Sequence, residues 1–207
     1  NASGTILASW HGDTRYYAAS TMKLAVAMAV LQRIDHGAWP LDLALPATHQ
    51  WHSGAGGMFG MDDEDVDPLF PAAGESITIR ELVNTMIERS CNESTNMLME
   101  LVGIDAIHNI CRQCGMRDLH VDRLIGDVAA ARATGISNQV TTDDLSSLMV
   151  QAVRGDWLTT QSTDFLRAAL RRQQFPVIAP ILPELPGNEN AADIDWGSKS
   201  GWVDGIR

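Results

Sequence analysis

The sequence Ala19-Ser20-Thr21-Met22-Lys23 opens an apolar run from Leu24 to Leu31. Eight apolar residues are too few to cross a membrane, but they suit a helix buried on every side at the centre of a globular domain. In such a helix Ser20 lies in the first turn, and Lys23 follows three residues later on the same face. The stretch therefore predicts a central helix that ends at Gly37, with the rest of the chain packed around it.

The same turn carries groups that can act as a nucleophile and its base. A serine hydroxyl is a weak nucleophile that needs a base within hydrogen-bond reach, and Lys23 can be that base if burial and the helix N-terminus lower its pKa. The free N–H groups of a helix N-terminus can also hold an oxyanion. Ser-x-x-Lys is a common pattern that equally fits a capped core helix, so the choice depends on the rest of the chain.

Size and charge limit the class of protein. The chain has 207 residues, of which 45% are hydrophobic, and this predicts a single domain over residues 1–207. The net charge of -11, without a cluster of Lys or Arg, argues against nucleic acids and anionic membrane surfaces as partners. No transmembrane segment or signal peptide is recognisable. Because the first residue is Asn1 rather than Met, we expect a mature or trimmed chain.

The three cysteines do not form a disulfide framework. Cys111 and Cys114 make a C-x-x-C pattern, which is compatible with redox or metal chemistry. No second ligand pair at zinc spacing accompanies it, so buried thiols are the favoured interpretation. The sequence implies no metal and no organic cofactor.

Periodicity and turn signals divide the chain into strands at both ends and helices between them. Residues 3–18 predict a β-hairpin that turns at 11–13, and residues 194–203 predict a closing strand. Paired terminal strands would form an antiparallel sheet from about 1–18 and 191–207, with a helical lobe at about 19–190. The fold class predicted is therefore α/β of the α+β kind.

Helical periodicity recurs between these ends, interrupted by two irregular stretches. Residues 46–75 predict an extended surface loop with an acidic run at 62–65, interpreted as a solvated face rather than a cation site. Residues 116–140 predict a loop with at most one short turn. The predicted helices after the central one cover about 79–89, 94–102, 105–114, 142–155 and 161–173.

Three separated motifs occur in a fixed order: Ser20-x-x-Lys23, Ser90-x-Asn92 and Lys199-Ser200-Gly201. Taken singly, the second motif also fits a helix cap, and the lysine of the third motif also fits a charge on an edge strand. Together, at a helix start, an interhelical loop and a strand, they resemble the S-x-x-K, S-D-N and K-T-G motifs of the penicillin-recognising serine enzymes, which are the class A β-lactamases and penicillin-binding proteins. The resemblance implies a β-lactamase/transpeptidase-like fold that is truncated here at both ends.

The chemistry of the motifs can be assigned residue by residue. Ser20 attacks an activated carbonyl, and Lys23 takes its proton directly or through a water. Ser90 relays a proton to the leaving nitrogen, and Asn92 hydrogen-bonds a substrate amide. Lys199 places a positive charge opposite the substrate carboxylate and keeps the Ser90 hydroxyl polarised.

The last motif also shapes the substrate site. Ser200 can hydrogen-bond the substrate carboxylate, and Gly201 lets the substrate lie close to the strand. By resemblance, the backbone N–H groups of Ser20 and Trp202 form the oxyanion hole. The large Trp202 side chain is expected to narrow the cleft.

The chain departs from the family pattern at two points that matter for chemistry. Cys91 stands where the β-lactamases carry an Asp that braces the loop, whereas Ser200 in place of Thr keeps the hydroxyl. The Glu that activates the hydrolytic water in class A β-lactamases has no counterpart between Gly115 and Thr141. Asp127 is the candidate replacement, and Asp118 and Asp122 are weaker alternatives, each more typical of a surface or capping residue.

These features predict a serine hydrolase that acts on β-lactams or related amides through an acyl-enzyme on Ser20. One alternative is a penicillin-binding D,D-peptidase-like enzyme or esterase that deacylates slowly. Another is a non-catalytic binding or sensor domain with the same fold. The expected partner is a small molecule, and the sequence leaves the oligomeric state open. Export to the periplasm or the medium is implied by the resemblance alone.

Overall fold

The computed structural model describes residues 6–177 and 195–202. The described residues form seven α-helices: α1 (Lys23–Asp35), α2 (Ile79–Glu88), α3 (Asn92–Val102), α4 (Ile104–Gln113), α5 (Val128–Thr134), α6 (Thr142–Arg154) and α7 (Thr160–Arg171). They also form six short strands: β1 (Tyr16–Tyr17), β2 (Ala44–Pro46), β3 (Trp51–His52), β4 (Met58–Phe59), β5 (Ser76–Thr78) and β6 (Gln139–Val140). The α+β class is confirmed. Within the described residues, no helix has the length and apolarity needed to span a membrane.

Helix α1 is the centre of the domain, as the sequence predicts. Every residue from Lys23 to Leu31 is at most 2% exposed. The helix packs against α2, α3, α4, α6 and α7, which explains why its sequence is apolar on all sides. Ser20 lies just before it, in a 3₁₀ turn over Ala19–Met22 rather than in the first α-helical turn.

Local signals explain most helix boundaries. Thr78 and Glu81 form a reciprocal capping box at the start of α2. The side chain of Thr141 caps α6, which ends at Gly155 with a left-handed φ of 76°. Because these caps are short-range features, the helices of the lobe fall within a few residues of their predicted positions.

The described residues 6–18 and 195–202 differ from the predicted hairpin and closing strand, and residues 1–5 and 203–207 of the predicted sheet lie outside the described residues. Strand β1 pairs with β6, with Tyr16 opposite Val140. Residues 6–9 form no strand, although a turn closes from Thr14 N–H to the His11 carbonyl at 3.1 Å. Residues 195–202 also form no strand, while Ile194 and Val203 of the predicted strand lie outside the described residues. A strand needs a hydrogen-bonded neighbour, and residues 195–202 instead contact α7, for example from Ser198 N–H to the Leu170 carbonyl at 3.1 Å.

The two stretches predicted as loops contain regular structure. Strands β3 and β4 pair within the first, where Trp51 is fully buried, and β2 pairs with β5 at its ends. The acidic run 62–65 is exposed, as predicted. The second stretch holds α5 and β6, which lack the length needed to show a clear period.

Candidate active site

The three motifs meet around the Ser90 hydroxyl. Lys23 is fully buried, and its Nζ donates to the Ser90 carbonyl at 2.6 Å, to Asn92 Oδ1 at 2.7 Å and to Ser90 Oγ at 3.2 Å. From the other side, Lys199 Nζ donates to Ser90 Oγ at 3.1 Å and to the Ser200 carbonyl at 2.6 Å. The central helix, an interhelical turn and the C-terminal segment therefore enclose one hydroxyl between two amines.

Ser20 opens onto a cleft of about 430 Å³ that is also lined by Ser90, Asn92 and Trp202. The hydrogen bonds of Lys23 to described residues go to Ser90 and Asn92, and none goes to the Ser20 hydroxyl. Of the two proton routes that the sequence leaves open, the arrangement therefore favours an indirect one. A water or the Ser90 hydroxyl is the natural carrier.

Two non-glycine residues of the site have left-handed backbone angles. Ala19, which precedes the predicted nucleophile, has a φ of 44°, and Ser90 has a φ of 62°. Such conformations cost on the order of 1–3 kcal/mol and persist where the surrounding structure imposes them. The two backbone conformations therefore set the direction of the turns that carry Ser20 and Ser90, which both line the cleft.

Burial lowers the pKa of both lysines and so favours their neutral forms. It lowers the pKa of Lys23 well below the usual lysine value, and the nearby charge of Lys199 lowers it further. Burial also lowers the pKa of Lys199 to about 7. In its neutral form the amine has two N–H bonds for the Ser90 carbonyl and Asn92 Oδ1, and its lone pair is left for the Ser90 hydroxyl. A lowered pKa favours this form, which is the state that a general base requires.

The C-terminal segment closes the cleft next to Ser20. A Cβ added at Gly201 would lie 3.0 Å from Ser20 N and 2.9 Å from Thr21 N, so only glycine permits this approach. Ser200 is 8% exposed, and its hydroxyl has no hydrogen-bond partner among the described residues. Trp202 is 50% exposed and packs edge-on against Phe175, with ring centroids 5.6 Å apart. This aromatic pair forms one wall, as expected for a side chain that narrows the cleft.

The structure does not bring Asp127 to this cleft, and this corrects the prediction that Asp127 activates the water for deacylation. Its carboxylate caps α5 by accepting from Ala130 N at 3.0 Å, and it also accepts from Ser53 Oγ at 2.8 Å and Gly54 N at 2.9 Å. Burial alone would raise the pKa of Asp127, but these hydrogen bonds and the charge of Arg123 together lower it. A carboxylate this well satisfied is a poor base, and it lines a separate cavity.

The weaker candidates are also engaged elsewhere. Asp118 forms an ion pair with Arg15, and one oxygen of Asp122 lies 3.1 Å from Nε2 of His108. Each is therefore consistent with the surface or capping role given as its alternative. Cys111 and Cys114 are free and buried, and burial raises the pKa of each thiol to about 12, as expected for inert core cysteines.

Sequence reasoning missed several residues of the site. Glu93 is fully buried beside the second motif, although an acid in the first turn of a helix is usually a solvated partner of the helix dipole. The opposite wall is formed by residues 64–69, and Phe175 and Gln174 also line the cleft. A Pro-rich, acidic surface loop carries no pattern that places it against a distant helix.

The motif geometry and the fold resemble those of the penicillin-recognising serine enzymes, and comparison with known proteins shows the family of the chain. The profile of the beta-lactamase enzyme family matches residues 2–207, so the chain belongs to this family. The β-lactamase ROB-1 of Haemophilus influenzae is 26% identical over 163 residues, covering 76% of this chain and 48% of that protein. The chain thus spans about half the length of the curated relatives it matches.

Solved structures show the same fold. The crystal structure of a β-lactamase from Sphaerobacter thermophilus superposes with a TM-score of 0.73 at 28% identity, covering 95% of this chain and 68% of that one. A β-lactamase from Chitinophaga pinensis gives a TM-score of 0.72 at 18% identity, with coverages of 97% and 70%. PBP-A matches with a TM-score of 0.64 at 22% identity, with coverages of 82% and 58%.

Proposed function

We propose that this protein is a serine β-lactamase-type hydrolase that opens β-lactams or related amides through an acyl-enzyme on Ser20. The observation that carries the proposal is the Ser90 hydroxyl held between Nζ of Lys23 and Nζ of Lys199 beside a cleft bordered by Ser20. Membership of the family supports the reaction class. Export, and a contribution to antibiotic resistance, are further parts of the proposal.

Acylation then proceeds with each group in a defined role. Ser20 Oγ attacks the carbonyl carbon while its proton passes to neutral Lys23, through a water or the Ser90 hydroxyl. The backbone N–H groups of Ser20 and Trp202 stabilise the oxyanion. When the C–N bond breaks, the nitrogen takes a proton from Ser90, which recovers it from one of the flanking amines. Cationic Lys199 and the Ser200 hydroxyl hold the substrate carboxylate.

A second candidate function is that of a penicillin-binding enzyme, which forms the acyl-enzyme but deacylates slowly. The position of Asp127 favours it, because the predicted base for the hydrolytic water lies in another cavity with its oxygens occupied. A substituted form of PBP-A, one of the structural neighbours, has been captured as an acyl-enzyme complex with penicillin G.

Intact-mass spectrometry with benzylpenicillin over time tests the function and separates these candidates. We expect a covalent adduct equal to one intact penicillin. An adduct that disappears as free penicilloate accumulates supports the hydrolase, whereas a stoichiometric adduct that persists supports the penicillin-binding alternative. Absence of any adduct would remove acyl-transfer chemistry and favour a non-catalytic binding domain.

The close approach of Gly201 to the nucleophile predicts a large effect of a single methyl group. In Gly201→Ala the new Cβ meets backbone atoms of Ser20 and Thr21, which cannot rotate away, so the segment must move outward. A displacement of about 1 Å reduces rates by on the order of a hundredfold, and we expect a fall of that size in the acylation rate. Gly54→Ala is the control, since its Cβ would make ordinary van der Waals contacts with Ala130 Cβ at 3.4 Å and Asp127 Oδ2 at 3.9 Å. Equal rates for both variants would contradict the proposed placement of the segment.

The low pKa of Lys199 predicts loss of acylation at alkaline pH. Below its pKa of about 7 the free enzyme carries the cation that binds the substrate carboxylate, and above it the amine is neutral. The second-order rate of acylation by benzylpenicillin should therefore fall as pH rises above about 7, up to tenfold per pH unit. Lys199→Arg keeps its charge and should move this decline to a much higher pH. If the acylation rate of Lys199→Arg declines with the same midpoint pH as that of the starting protein, another group is responsible for the decline.

A further inference from the structure

We propose that Glu93 is the positioning carboxylate of this active site: it joins one wall of the cleft to the turn that carries Ser90 and Asn92. It would thereby replace, from the first turn of α3, the acid that Cys91 does not supply. The inference rests on the proposed function, because the geometry it maintains is that of acylation.

The contacts of Glu93 point in two directions. Although fully buried, its carboxylate accepts from Asp67 N, at 3.0 Å to Oε1 and 3.3 Å to Oε2. Oε2 also accepts from the Cys91 thiol at 3.3 Å. Burial and the charge of Glu93 raise the pKa of Cys91 to about 12, so the thiol remains protonated and can donate. The carboxylate therefore joins the loop wall at Asp67 to the middle residue of the Ser90–Asn92 turn.

Neighbouring contacts attach the same wall through side chains that are partly exposed. Asn92 Nδ2 donates to the Asp65 carbonyl at 3.0 Å, and Arg89 Nε donates to Asp67 Oδ2 at 2.9 Å. Arg89 thus holds the carboxylate of Asp67, whereas Glu93 holds the backbone N–H of the same residue. Glu93 is fully buried, so its hydrogen bonds are not in competition with water, and an unmet partner there would be costly.

Glu93 also acts on the general base through its charge. Lys23 is influenced by the cation of Lys199, which lowers its pKa, and by Cys91, Glu93 and Asp65, which raise it against the dominant effect of burial. Removing the charge of Glu93 should therefore lower the pKa of Lys23 further. Since the reaction requires neutral Lys23, the acid limb of the acylation rate should move to lower pH.

The pair Cys91 and Glu93 offers a test by exchange. Cys91 Sγ accepts from Ser94 N at 3.4 Å and from Ser94 Oγ at 3.1 Å, two donors that an Asp carboxylate could use equally well as a helix cap. In Cys91→Asp alone, two buried carboxylates face each other, which is unfavourable. In Cys91→Asp combined with Glu93→Gln, the Gln amide can donate to Asp and its oxygen can still accept from Asp67 N.

The experiment measures acylation by benzylpenicillin from pH 5 to 9, and thermal unfolding, for the two single variants and the double variant. We expect each single variant to acylate about tenfold or more slowly, and the double variant to return to within about threefold of the starting protein. The acid limb should lie at lower pH in Glu93→Gln. Glu100→Gln is the control, an exposed residue on the same helix whose Oε1 accepts from His52 N at 3.2 Å. The Gln oxygen can still accept this bond, so both properties should remain unchanged.

Additive losses in the double variant, or a Glu93→Gln variant with unchanged rate and acid limb, would overturn the inference. If Glu93→Gln alone does not fold, rescue by Cys91→Asp still supports the exchange, and failure of both variants to fold overturns it. If the starting protein forms no adduct, the proposed function fails separately. The unfolding measurements then decide whether the two positions share one carboxylate.

Discussion

Replacing Ser20 by alanine is expected to abolish the covalent adduct with benzylpenicillin while leaving the fold intact. The hydroxyl borders the cleft and is not required for any helix cap, so its removal creates no buried unpaired group. Without the oxygen no acyl bond can form, and the acylation rate should fall about 10⁴-fold or more. Intact-mass spectrometry of the variant after hours with excess penicillin gives the measurement.

Ser146→Ala provides the matched comparison, because this exposed serine on α6 undergoes the same chemical change. It should acylate like the starting protein. A persistent adduct on Ser20→Ala would show that another residue is the nucleophile, and peptide mapping of that adduct would identify it.

Replacing Lys23 by methionine should have the second largest effect, because it removes the proposed base while keeping a long, apolar stem in the core. General-base catalysis contributes about 10²–10⁴-fold, so the acylation rate should fall by that factor. The variant also leaves the Ser90 carbonyl and Asn92 Oδ1 without their buried donor, which should loosen the turn. The rate is measured as adduct formation per unit time under pseudo-first-order conditions.

Two further variants separate base chemistry from simple loss of charge. Lys23→Arg keeps a cation that cannot act as a base and should be as slow as Lys23→Met. Arg33→Met, on the exposed side of the same helix, should acylate normally. If Lys23→Met acylates within threefold of the starting protein, Lys199 or a carboxylate must carry the proton.

The sequence predicts the central helix and the three motifs because these depend on local signals, whereas the meeting of the motifs is implied by the family resemblance. An apolar run without a polar face implies burial on all sides, and caps such as Thr78 with Glu81 set helix starts through bonds within a few residues. The sequence did not predict the pairing of β1 with β6, and it predicted Asp127 at the cleft, whereas Asp127 caps α5. Both depend on contacts between residues far apart in the chain, which no local pattern specifies.

The sequence by itself thus determined the class of the chain and the residues that could carry its chemistry. Only the tertiary structure decided which acids belong to the site: it assigned Asp127 to the cap of α5 and Glu93 to the buried side of the Ser90 turn. The physical reason is that the function of a carboxylate depends on burial and on its hydrogen-bond donors. Those are supplied by whichever segments fold against it, such as the backbone N–H of Asp67 for Glu93.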